Sequence, residues 1–174
     1  MKLIQILRRF LVPSPVVTAI GLVKYKCKIS PKAEVELNEH LQIGRGTVIS
    51  SFVKIKPNGP LQIGENVSIG TCCYISADAG GVKIGDYCMI GSNANVIGNN
   101  YQYDKLDEPY CLQEKTSKGI DIGSNVWIGS GCTILDGATI GNDAIITPNS
   151  VVSGKIPENA IAQGNPAKVI FTRR

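Results

Sequence analysis

Residues 120–152 read IDIGSNVWIGSGCTILDGATIGNDAIITPNSVV, and an aliphatic side chain returns there at every sixth position: Ile122, Ile128, Ile134, Ile140, Ile146 and Val152. Gly follows three of them, at Gly123, Gly129 and Gly141. This period is neither the helical one of about 3.6 nor the period of about 2 of a single strand. It is the spacing of short strands joined by tight turns, the hexapeptide type of β-helix repeat. The same phase holds upstream at Ile43, Ile49 and Ile55. It resets at Gly59-Pro60 for Ile63, Ile69 and Ile75, and at Ala79-Gly80-Gly81 for Ile84, Ile90 and Val96. Two places before most of these stands another small or aliphatic residue, among them Leu41, Val53, Val67, Ala94, Val126 and Ala144. Each unit therefore reads in–out–in, with both apolar positions facing an interior. The repeat spans most of residues 27–156 and predicts an all-β parallel β-helix. Residues 1–26 form a lead-in and residues 157–174 a tail.

At 174 residues the chain is long enough for one domain. Hydrophobic residues make up 43% and charged residues 18%, which excludes a disordered chain. The net charge of +4 is mild, and Arg8, Arg9, Arg173 and Arg174 split it between the two ends, against a nucleic-acid reader. Four of the six Cys (Cys27, Cys73, Cys88 and Cys132) fall two places before a repeat aliphatic, where a thiol serves as a small hydrophobe. There is no Cys-x-x-Cys pair and His40 is the single His, so no metal site is expected. The lack of a secretory signal argues against a disulfide framework and for a reducing, cytoplasmic compartment.

The opening residues, MKLIQILRRFLV, place Leu3, Ile6, Leu7, Phe10 and Leu11 at helical spacing, with Lys2, Gln5, Arg8 and Arg9 opposite. Pro13 and Pro15 are expected to stop this helix. No run is apolar enough to span a membrane. A helix packed on the first coil or on a neighbouring subunit is the plainer reading. A basic amphipathic helix in weak peripheral contact with an anionic membrane surface, at its inner face, is the sharper one. Residues 16–40 lead into the coils, with Ile29, Val35 and Leu37 as first interior residues, and His40 reads as a solvated turn residue.

Residues 97–119, IGNNYQYDKLDEPYCLQEKTSKG, break the period. A polar excursion this long inside a compact repeat is a candidate functional loop. The tail carries Pro157 and Pro166, which prevent further regular coils, and a tail over the coil end would cap the open sheet edges.

At NVWIG (Asn125 to Gly129) and GNPAKVI (Gly164 to Ile170) the chain resembles the hexapeptide-repeat acyltransferases, in particular sugar O-acetyltransferases of the maltose, galactoside and exopolysaccharide type. The resemblance covers about residues 40–172. It implies a left-handed three-sided prism, usually a homotrimer, with sites where the excursion loop of one chain meets a neighbour's coils. It implies acetyl transfer from acetyl-coenzyme A to a sugar or glycan acceptor, with a base taking the acceptor's proton and donors stabilising the oxyanion. By position, Trp127, Gly129, Ser130, Thr147 and Pro148 would line the pantetheine arm, and Lys168 would meet the phosphate end. The plainer reading gives Trp127 a wedging role between coils and the Gly residues a turn role. Asp78 and Asn100 would meet the acceptor, although an Asp beside Gly-rich residues also reads as a plain turn residue.

One departure stands out. Close family members open the loop with a pattern like Asn-His-x-Phe-Asp, in which the His is the base; here it is Asn100-Tyr101-Gln102-Tyr103-Asp104. His40 lies about three turns, or ~15 Å, away along the axis. A free Tyr titrates near pH ~10, so serving as a base at neutral pH would take roughly 4 kcal/mol of local stabilisation, with Lys105 and Lys118 as candidate sources. Tyr101 and Asp104 are the candidate catalytic residues. The alternative is a catalytically impaired relative with a binding or assembly role.

Overall fold

The computed structural model describes residues 13–174, and the helix expected over residues 1–12 lies outside the described residues. The repeat builds a left-handed parallel β-helix with three sheet faces. The first face stacks Lys28–Ile29, Val48–Ile49, Ser68–Ile69, Met89–Ile90, Trp127–Ile128, Ile145–Ile146 and Ala160–Gly164. The second stacks Glu34–Val35, Lys54–Pro57, Tyr74–Ala77, Asn95–Ile97, Thr133–Leu135 and Val151–Val152. The third stacks Leu41–Ile43, Leu61–Ile63, Val82–Ile84, Ile120–Ile122, Thr139–Ile140 and Lys155–Ile156. Every rung is in parallel register with the next, so that Ile55 meets Ile75, Ile75 meets Val96 and Val96 meets Ile134.

The register makes the core a set of vertical ladders. Ile55, Ile69, Ile122, Ile128, Ile134 and Ile146 have no exposed surface. The residues two places earlier complete the filling, and Cys27, Cys73, Cys88 and Cys132 are buried among them. Burial pushes all four thiols above the ordinary cysteine range. Leu37, expected inside, is only half-buried at the edge of the core.

Both period slips fall at one corner, between the second and third faces. Asn58–Pro60 turns that corner in the second coil and Asp78–Gly81 in the third. In the fourth coil the chain leaves the prism at the same corner, after Ile97, and returns at Ile120. The excursion loop thus elaborates a corner that already carries extra residues below it.

The two ends are built differently from the coils. Pro13 and Pro15, expected to stop a helix, begin one: α1 spans Ser14–Ile20, with Pro13 at its N-cap, and a π-type turn follows over Gly21–Tyr25. Proline suits the first turn because the amide it lacks would have no helical partner there. Val17 is buried, and Gly21 lies so close to Ile29 that a Cβ would come within 2.8 Å of its Cδ1. At the other end, Ala160–Gly164 adds a rung to the first face and Ala167–Thr172 pairs antiparallel to it, so the tail caps that face's edge.

Close stacking also explains the repeat glycines. A Cβ on Gly85 would sit 2.6 Å from the carbonyl carbon of Gly123 in the coil above. Gly85→Ala should cost about 1–3 kcal/mol through overpacking. Gly154→Ala, where nothing lies within 4 Å, should leave the thermal midpoint near wild type. Thermal unfolding of the two variants side by side checks this.

Candidate active site

The loop begins as a short hairpin, Asn100–Tyr101 against Lys115–Thr116, with Tyr101 opposite Lys115. Its base is tied down by side chains that accept from or donate to backbone. The Ser117 hydroxyl donates to the Gly98 carbonyl at 2.6 Å and accepts from the Gly80 amide at 2.9 Å, joining both limbs to the corner below. The half-buried Asp136 carboxylate accepts from the Lys118 amide at 2.8 Å and the Gly119 amide at 2.9 Å. Farther out, the buried Gln113 amide donates to the carbonyls of Lys105 and Glu108, both at 2.8 Å, and folds the tip onto itself.

Between the hairpin and the fifth coil lies a cavity of about 740 Å³. Asn100, Tyr101 and Asp104 all line it, together with Asn99, Lys118 and Asp136. Three of the expected site residues therefore converge. Tyr101 is 42% exposed, and its ring lies 5.1 Å from the Lys115 ammonium. That cation is neither of the two considered from sequence: Lys105 pairs with Glu108 at 3.1 Å, while Lys118 lines the cavity. The Asn100 side chain accepts from the Tyr101 amide at 2.9 Å. Asp78 stands at the third-coil corner, where its carboxylate accepts from the Asn99 side chain at 3.0 Å and from the Ala79 amide at 3.0 Å. It acts there both as a turn residue and as a brace for the cavity wall. His40 lies on the same corner in the first coil, three rungs below the loop, and donates its amide to Asn38.

The remaining expected residues form a second group elsewhere. Gly129, Ser130, Thr147 and Pro148 stack at the corner between the first and second faces, in the fifth and sixth coils. Gly129 is required there, since a Cβ would come within 2.5 Å of the Pro148 nitrogen. Thr147 shares a hydroxyl contact of 3.1 Å with Ser150, and its carbonyl accepts from the Cys132 thiol at 3.1 Å. Trp127 points outward from the first face, between Met89 and Ile145, and is 51% exposed. It stands on the outer surface between neighbouring coils, outside the core. Lys168 is exposed on the last strand, opposite Gln163. In one chain the second face separates this group from the loop cavity.

That separation follows from counting faces: the loop follows a second-face aliphatic, Val96, whereas Gly129 follows a first-face one, Ile128. Ser117, Gln113 and Asp136 had no such signal, because their roles are contacts to backbone across the loop. Among the described residues, no group of three or more His, Cys, Asp or Glu could hold a metal ion.

The six-residue repeat of this parallel coil places the chain among known repeat proteins. Family models agree: residues 119–154 match "Bacterial transferase hexapeptide (six repeats)" and residues 60–96 match "Hexapeptide repeat of succinyl-transferase". The galactoside O-acetyltransferase of Escherichia coli is 33% identical, over 84% of this chain and 73% of its own. The putative lipopolysaccharide biosynthesis O-acetyl transferase WbbJ of the same organism is 29% identical, over 86% of this chain and 77% of its own. The fold is shared with AntD, an N-acyltransferase from Bacillus cereus solved with dTDP and coenzyme A, at a TM-score of 0.78 and 19% identity over 90% and 88% of the two chains. The chain belongs to the hexapeptide-repeat acyltransferases and is an acyltransferase.

Asp136→Ala should free the loop root. Hydrogen bonds to a charged acceptor contribute roughly 1.5–3 kcal/mol. Hydrogen exchange across residues 98–119 should therefore speed up while the coil ladders keep their protection. Unchanged exchange in the loop would show that Asp136 does not hold it.

Proposed function

We propose that the chain transfers an acetyl group from acetyl-coenzyme A to a sugar hydroxyl in the assembly of a surface polysaccharide, namely a capsule, exopolysaccharide or lipopolysaccharide. The observation that carries this reading is the cavity at the loop root, with Asn100, Tyr101 and Asp104 on its wall. Its volume lies in the range of small-molecule sites. Relatives named for galactoside and lipopolysaccharide acetylation support a carbohydrate acceptor.

The acceptor oxygen attacks the thioester carbonyl carbon. A carbon–oxygen bond forms, the carbon–sulfur bond breaks, and the sulfur leaves as a thiolate that takes up a proton to become free coenzyme A. Tyr101 and Asp104 are the groups that meet the acceptor's proton, and Asn100 and Asp78 hold the sugar. The donor's arm runs beside Trp127 and along Gly129, Ser130, Thr147 and Pro148, with its phosphates near Lys168. These residues stand across the second face from the cavity of their own chain. A homotrimer, in which the loop of one chain covers the donor corner of its neighbour, brings the two halves together. The exposed loop-tip residues Tyr103, Leu106, Tyr110 and Leu112 suit such a contact. Acetyl-coenzyme A as donor goes with a cytoplasmic location.

A sugar amine is a second acceptor chemistry, favoured by one observation: no imidazole lines the cavity, and the single His lies three rungs away. A neutral amine already presents its lone pair and needs less help from a base.

Release of coenzyme A against a panel of sugars and amino sugars tests both. Tyr101→Phe should lower transfer to a hydroxyl by about 10²–10⁴-fold, the usual contribution of a proton-transferring group. Tyr101→His should restore or exceed the wild-type rate. Full activity in Tyr101→Phe on hydroxyl acceptors would remove Tyr101 from the mechanism. Transfer to amino sugars alone would replace the first acceptor class with the second.

A further inference from the structure

The charges of this chain are sorted along its length. The first 33 residues hold seven Lys and Arg and not one Asp or Glu, whereas the rest hold eleven basic and all fourteen acidic residues. A net +4 thus conceals about +7 on the opening segment against −3 on the remainder. The fold gathers the described part of that segment at one end of the prism. Lys24 and Lys26 follow α1, and Lys28 points outward from the first rung of the first face. Lys32 stands at the next corner, with its ammonium 5.8 Å from the Phe52 ring centre.

The same end exposes apolar side chains that the core does not use. Val17 and Gly21 turn inward, while Val16, Leu22 and Val23 face out, Val23 with 82% of its surface exposed. Beside them lies an open groove of about 710 Å³, lined by Val16, Ala19, Ile20, Val23, Tyr25 and Leu37 among others. The first carboxylates of the chain, Glu34, Glu36 and Glu39, come only on the second face and the corner after it; Glu34 pairs with Lys54 at 2.9 Å, and Glu39 touches the groove.

We propose that this N-terminal end of the prism docks on an anionic phospholipid bilayer, with Leu22 and Val23 entering the interface and Lys24, Lys26 and Lys28 meeting the headgroup phosphates. Interfacial binding grows with buried apolar area together with attraction to anionic lipid. Exposed aliphatics supply the first, while Lys26 and Lys28, which make no ion pair among the described residues, and Lys24, over the Tyr25 ring at 5.0 Å, supply the second. Each lysine near an anionic surface contributes a small attraction that falls off within a Debye length, so the binding is salt-sensitive. Among the described residues no helix is long and apolar enough to cross a membrane, so the contact is one of surface attachment. In a trimer of parallel prisms the three first coils share one end, and their patches act together. The cavity lies in the fourth coil, three strand steps or ~14 Å from the first. An acceptor glycan carried at the headgroup layer then comes within its reach. That consequence rests on the sugar-acyltransferase reading, whereas the lipid contact does not.

Sedimentation of the full chain with vesicles is the test. Wild type should sediment with phosphatidylcholine vesicles containing a quarter phosphatidylglycerol, less so as salt rises, and should stay in the supernatant when the vesicles are pure phosphatidylcholine. Lys24→Glu/Lys26→Glu/Lys28→Glu should reduce partitioning by about tenfold or more. Leu22→Ser/Val23→Ser should also reduce it without changing the thermal midpoint. Equal binding to both vesicle types, no binding to either, or wild-type partitioning by the charge-reversed variant would overturn the proposal. So would displacement from the vesicles by a short DNA duplex bound more tightly, which would make this a nucleic-acid surface. Coenzyme A release with a soluble sugar should be the same in all these variants, so failure of the acyltransfer reading shows up separately.

Discussion

Each strand of this protein hydrogen-bonds to the one in the next coil in exact register, and that constraint generates the six-residue period. Two inward positions per strand and one tight corner fill six places, so any insertion inside a strand would rotate an aliphatic ladder into solvent. The interior tolerates only side chains near the size of Ile, Val, Ala or Cys, and corner positions such as Gly85 and Gly129 lie against backbone of the coil above. Extra chain can enter only at corners. All the irregularity between Glu34 and Ile120 enters at one corner, between the second and third faces, and the candidate site stands where the largest insertion does.

The placement gives the site its character. A loop anchored by Ser117 and Asp136 rises from a rigid ladder, so Asn100, Tyr101 and Asp104 are held on one wall while the tip stays free to meet another surface. Gly129, Ser130, Thr147 and Pro148, proposed to line the donor, sit on the ladder itself, at a different corner. Under the proposed acetyl transfer, a prism whose second face separates the two groups is completed by a neighbouring copy.

The ladder was legible in the sequence because it depends on residue type at fixed spacing, which is a one-dimensional property. The phase of Ile122 to Val152 and the resets at Gly59-Pro60 and Ala79-Gly80-Gly81 marked both the strands and the corner that takes insertions. Helix α1 was not legible, because Pro13 and Pro15 fit the end of one helix as well as the start of another, and only packing of Val17 and Gly21 on the first rung decides between them. Within the loop, Tyr101 could be singled out by its departure from a family pattern. Gln113 and Asp136 could not, because their partners are backbone groups brought near by the fold. Lys115, which stands over the Tyr101 ring, is fixed by the hairpin register and by nothing in its immediate sequence.

The central claim is that this scaffold carries a donor site on its coils, and calorimetric titration of acetyl-coenzyme A into the purified protein tests it most directly. The account predicts saturable binding at one site per chain, weakened by Trp127→Ala and by Lys168→Ala while both variants stay folded. Binding that neither variant weakens would contradict the placement of the site, and the absence of any saturable binding would contradict the claim itself.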